Sequence, residues 1–159
     1  MLLLMIICLA LLTAVAIGFI GGFAAAIAAF IGGCIAWTIV AALLLMIACA
    51  VVDKEKEQED DSKFYRWMLH LWIEFIITIG RVKVVCKGAE KLPQDGRFLL
   101  VCNHLDLPDP VLLLYAFPNS ELAFITKKEN QQMFLIGKLM HKILCQPLDR
   151  ENDRAALKT

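Results

Sequence analysis

The first fifty-two positions hold no Asp, Glu, Lys or Arg, and polar residues begin to alternate with apolar ones only from Asp53 onward. As one helix this stretch would extend about 78 Å, against a hydrocarbon core of roughly 30 Å. A single span cannot absorb it. Two spans are expected, near residues 2–21 and 32–52, with the reversal in the region from Gly21-Gly22 to Gly32-Gly33. A secretory leader is the poorer reading, because no basic segment precedes the run and no clear cleavage site ends it. Small residues recur at every fourth position: Ala10, Ala14, Gly18, Gly22 and Ala26, then Ala24, Ala28, Gly32 and Ala36. That spacing lets helices approach closely in lipid, within one hairpin or between two copies.

From Lys63 to Ile79 the pattern is different. Lys63, Arg66, His70, Glu74 and Thr78 fall on one narrow helical stripe, and most other positions are apolar, Phe64, Trp67, Trp72 and Phe75 among them. Such a helix lies in a membrane interface, docks on the hairpin, or is an ordinary core helix. His70 reads as part of the polar stripe and His141 as a surface residue.

Beyond residue 81 the apolar runs shorten and turns intervene. Val82–Cys86, Phe98–Cys102 and Leu122–Thr126 read as strands, Ile143–Leu148 as extended, Pro110–Phe117 and Met133–Lys142 as helices, and Pro93 to Gly96 as a turn. Alternating strands and helices predict an α/β domain. The expected organisation is a transmembrane helical hairpin (1–52), an acidic linker (53–62), an amphipathic membrane-associating helix (63–80) and an α/β domain (81–159).

Charge sharpens this division. The formal net charge is zero, yet residues 53–61 carry −4 and residues 62–159 carry +4. A basic domain beside a bilayer suits anionic headgroups and phosphorylated substrates, and nothing in it implies nucleic acid. The six cysteines show no metal or redox spacing and read as small hydrophobes in reducing surroundings.

The candidate chemistry sits in FLLVCNHLDLPDP, residues 98–110, where an apolar run delivers Asn103 and His104 to a loop and Asp109-Pro110 opens the next helix. An imidazole accepts a proton near neutral pH, and a carboxylate on its second nitrogen fixes tautomer and orientation. Asp109 can do this for His104. Asp109 before Pro110 also makes a good helix cap, a role compatible with the first. Asp106 is a rival partner, and a metal held by His104, Asp106 and Asp109 is a minor alternative. Cys102, two residues before the histidine, is a possible nucleophile. Ser62 and Ser120 lie in no nucleophile-elbow setting, so direct attack by a substrate hydroxyl is the simpler scheme.

CNHLDLPDPVLL resembles the NH-x4-D block of the 1-acylglycerol-3-phosphate acyltransferases and their glycerolipid relatives. VVCKGAEKLP (84–93) is similar to the strand and G-x-E-x-L-P turn before that block, FITKKENQQMFLIG (124–137) to the K-x-E block, and ILCQPLDRENDRAALK (143–158) to the block with a hydrophobic-Asp-Arg step. The resemblance implies His104 as general base and Asp109 as its orienting partner, with Asn103, Lys127 and Arg150 at the substrate. It implies a thioester donor, acyl-CoA or acyl carrier protein, a lysophospholipid acceptor, no cofactor, and a cytosolic face of the membrane. Two departures stand out: Phe134 replaces the usual proline, and the family's Pro-Glu-Gly-Thr block is not among residues 1–159. The expectation is therefore the membrane-anchored N-terminal portion of a longer enzyme; the alternatives are a shortened, non-catalytic membrane protein that binds lysophospholipid or a partner, and an acyltransferase with another glycerol-phosphate acceptor.

Overall fold

The computed structural model describes residues 1–93, 97–103 and 108–148. Helices dominate. α1 (Leu2–Ala50) and α2 (Lys63–Ile79) precede a 3₁₀ turn at Ala89–Lys91, and α3 (Asp109–Ala116) follows. β1 (Ile125–Lys127), α4 (Lys128–Gln132), α5 (Phe134–Lys142) and β2 (Gln146–Leu148) complete the described chain.

α1 is long and apolar enough to cross a membrane. Its helical backbone is interrupted at Gly22, where φ is 78° and ψ −174°, a conformation that favours a residue without a Cβ. This break falls inside the region from 21 to 33 and is confined to one residue, because FAAAIAAFI after Gly22 is rich in good helix formers. Residues on the two sides of Gly22 lie against each other. A Cβ added to Gly33 would stand 2.9 Å from Thr13 Oγ1 and 3.2 Å from Ala10 Cα, and Trp37 and Ala41 close over Leu2 and Ile6. Elsewhere α1 leaves large side chains bare, with Phe19 at 88% and Ile20 at 93% exposure.

α2 is the hub, in contact with α1, α3 and α5. Met68 packs with Leu45, Cys49 and Leu139, while Leu71 joins Leu2 and Ile6. One turn round the helix, Ile73 and Ile77 meet Leu114 of α3 with Val84, Leu122 and Phe124 around them. Each such aliphatic side chain contributes about 1.5–3 kcal/mol on full burial, so α2 is a core helix on two of its faces. The end of α1 is also pinned through its carbonyls: Tyr65 Oη donates to Ala48 O at 2.7 Å and Lys138 Nζ to Ala50 O at 3.1 Å.

The expected α/β character survives in one unit. β1 and β2 pair in parallel, Ile125 with Gln146 and Lys127 with Leu148, and α4 and α5 form the crossover between them. Gly137 makes this crossover possible, since a Cβ there would come within 3.0 Å of Gln131 Cα and collide with the neighbouring backbone. The other two expected strands are corrected. Val82–Cys86 and the described residues of Phe98–Cys102 form no ladder among the described residues, and Leu99 and Val101 are more than three-quarters exposed. An apolar run becomes a strand only where a neighbour supplies the other half of the hydrogen bonds. Of the expected turn from Pro93 to Gly96, residues 94–96 lie outside the described residues.

Candidate active site

The NH-x4-D block leads into α3. Asp109 stands in the first turn of that helix, half-buried, with Pro108 at the cap position and a proline in the first helical positions. It lies one step inside the helix rather than capping it, where a carboxylate also complements the positive end of the helix dipole. Asn103, which opens the block, is exposed. His104 and Asp106 lie outside the described residues, as does Arg150. Lys127 ends β1 and is exposed, ahead of α4, whose first residue is Lys128. Lys127 registers with Leu148, so β2 runs beside the strand that carries Lys127.

α3 is held from behind. Leu114, 5% exposed, locks it to Ile73 and Ile77 of α2, and α2 in turn packs on α1. Asp109 therefore sits on a helix tied through α2 to the long apolar segment. Upstream, Gly88 takes φ 83° to open the 3₁₀ turn, which accounts for the glycine of the G-x-E-x-L-P stretch.

A cleft of about 820 Å³ runs along the polar stripe of α2, with Arg66, His70 and Glu74 on one side and Val84, Tyr115 and Glu121 on the other. The stripe is not the solvated face that its composition suggests. Arg66 is buried, and its guanidinium donates from Nε and Nη2 to both carboxylate oxygens of Asp61 at 2.6 and 2.8 Å, while Nη1 donates to Leu122 O at 3.1 Å. Burial, reinforced by the Arg66 charge, holds the His70 imidazole below its ordinary pKa, and its covered Nε2 meets no hydrogen-bond partner among the described residues. His141 is likewise half-buried with Nε2 covered, which corrects the surface placement expected for it. Cys145 is buried against Phe124 N–H at 3.3 Å, and desolvation pushes its thiol pKa up, so it sits as a neutral spacer under the sheet. Cys102 is exposed. No group of three His, Cys, Asp or Glu able to hold a metal occurs among the described residues.

The buried Arg66–Asp61 pair escaped the sequence reading. Its signal was present: an arginine on the thin stripe of an otherwise apolar helix, with an acid five positions earlier at the end of the linker.

Residues 83–159 match the sequence model of the family described as Acyltransferase. Through this segment, 77 of the 159 residues, the chain is similar to the acyltransferase family. Among its relatives, the 1-acyl-sn-glycerol-3-phosphate acyltransferase of Bacillus subtilis is 37% identical over 73 residues, covering 46% of this chain and 36% of the relative. A Mycoplasma pneumoniae protein named "Probable 1-acyl-sn-glycerol-3-phosphate acyltransferase" is 37% identical over 86 residues, 52% of this chain and 32% of its own. The Streptococcus pneumoniae 1-acyl-sn-glycerol-3-phosphate acyltransferase is 28% identical over 105 residues, with coverage of 65% and 39%. The chain thus spans about a third of the length of these relatives. No solved structure matches it significantly.

Proposed function

We propose that this chain forms part of a membrane-bound enzyme that moves a fatty acyl group from a thioester to the free hydroxyl of 1-acylglycerol 3-phosphate, giving phosphatidic acid. The match of residues 83–159 to the acyltransferase family model, with relatives named for that acceptor, is the observation that carries the reading. His104 takes the proton of the acceptor hydroxyl as its oxygen attacks the thioester carbonyl carbon. The C–S bond breaks, and the departing thiolate takes the proton back from the imidazolium. Asp109 orients the imidazole and steadies its charged form. Lys127 and Arg150, with Asn103 nearby, bind the acceptor phosphate, and acyl-CoA or acyl carrier protein supplies the acyl group.

The two limbs of α1, meeting at Gly22, insert in the bilayer as a hairpin. The uncharged first 52 residues and the contact of Gly33 with Ala10 and Thr13 support this. Both substrates carry acyl chains that partition into lipid, so a site tied to that hairpin through α2 meets them where they are concentrated. A thioester donor places the site on the cytosolic face of the cytoplasmic membrane. The test is acceptor-dependent thiol release by membranes carrying the full-length protein. His104→Ala should abolish release and leave membrane insertion intact, and normal turnover in that variant would refute the mechanism.

A further inference from the structure

The one buried charged side chain among the described residues is Arg66, and it belongs to α2, outside the matched acyltransferase segment. Its exposure and that of Asp61 are near a tenth each. A buried ion pair is an expensive way to hold a fold together, because apolar residues of similar volume would serve stability as well or better. What the pair supplies here is position. The third donor of the guanidinium fixes the carbonyl of Leu122, three residues before β1 and five before Lys127. From the same stretch of chain, Ser62 N–H donates to Lys142 O at 3.0 Å and Lys142 Nζ donates to Gln58 Oε1 at 2.7 Å, gripping the end of α5 that feeds β2. Between the two grips, Gln146 N–H donates to Phe124 O at 2.9 Å and Phe124 N–H to Cys145 Sγ at 3.3 Å. Segment 58–66 therefore holds the entrances of both strands of the parallel pair.

We propose that Arg66, braced by Asp61, is a positioning residue for acceptor binding: it sets the strand that presents Lys127 relative to the membrane-tied helix α2. The inference rests on the acyltransferase reading above. Its consequence is that the region before the matched segment tunes affinity for the phosphorylated acceptor while leaving proton transfer at His104 largely untouched.

The experiment compares wild type, Arg66→Lys and the double variant Asp61→Leu/Arg66→Met, full length in membranes, by steady-state kinetics in 1-acylglycerol 3-phosphate and by thermal unfolding. Lysine keeps the charge but cannot hold both Asp61 oxygens and the Leu122 carbonyl at once. Arg66→Lys should raise the acceptor KM about tenfold, with kcat much less affected and the KM for the thioester unchanged, as expected for loss of one charge-assisted hydrogen bond. The double variant removes both charges, so it should melt near wild type and still show the raised acceptor KM. An unchanged acceptor KM in either folded variant overturns the positioning role, as does a kcat that falls in step with the melting temperature. A wild type with no acceptor-dependent thiol release overturns the enzyme reading itself and this inference with it, an outcome distinct from the other two.

Discussion

α1 and α2 are both mostly apolar helices, and the structure treats them in opposite ways. In α1, forty-nine residues long, the buried side chains are Leu2, Ile6, Ala10, Ala14, Leu45 and Cys49, gathered near its two ends. α2, seventeen residues long, buries Arg66, Met68, Leu71, Ile73 and Ile77 along its whole length. The difference lies in pattern. A helix apolar all round needs an apolar surrounding, which the described residues do not provide for Phe19, Ile20 or Phe23. A helix with a thin polar stripe needs protein on its apolar sides and a place for the stripe. α2 finds the former in α1, α3 and α5 and the latter in the cleft over Arg66 and His70.

That contrast can be broken most forcefully in the core of α2. Ile73 is 3% exposed, and Ile73→Ala should cost about 4 kcal/mol in unfolding free energy, whereas Leu12→Ala on the bare face of α1 should change it by under about 0.5 kcal/mol. Denaturant unfolding in detergent micelles measures both, and equal losses would erase the distinction. Next in size is Leu12→Lys, at a position 67% exposed near the middle of the first limb. If lipid is what covers this face, a lysine there should disfavour insertion by about 3 kcal/mol, read as protein lost from the membrane fraction, while Lys63→Ala on α2 should not alter partitioning.

The smallest effect concerns pH. The His70 imidazole has its pKa lowered in the fold, chiefly by burial and further by Arg66, so the unfolded chain binds the proton more readily. Stability should be full above about pH 6.5, fall as the pH drops through that value, and level off below the folded pKa. His70→Gln should flatten this part of the melting-temperature profile between pH 7.5 and 5.5, and an unchanged slope would assign it to other groups.

Much of this was legible in the residues. The bounds of α2 follow from its stripe, α3 and α5 from Pro110 and the apolar runs after Asp109 and Met133, and the parallel pair from the alternation around residues 122–148. Two glycines of the stretches that resemble the family were legible as backbone requirements, Gly88 at φ 83° and Gly137 against the Gln131 backbone. Strand formation at 82–86 was not legible, since pairing depends on a partner that local sequence does not contain. The Arg66–Asp61 pair was hidden for a related reason. A charged stripe on a helix looks the same whether water or a carboxylate from the preceding linker neutralises it, and only the placement of Asp61 and the Leu122 carbonyl against Arg66 decides between them.

The proposed reaction is acyl transfer to a lysophospholipid in a membrane. Its most direct test follows an isotopically labelled acyl group from thioester to product, by mass spectrometry, in membranes carrying the full-length protein supplied with 1-acylglycerol 3-phosphate. The account predicts labelled phosphatidic acid, formed in step with free thiol and lost in His104→Ala. Label recovered only as unreacted thioester, or as free fatty acid with the acceptor untouched, would contradict it.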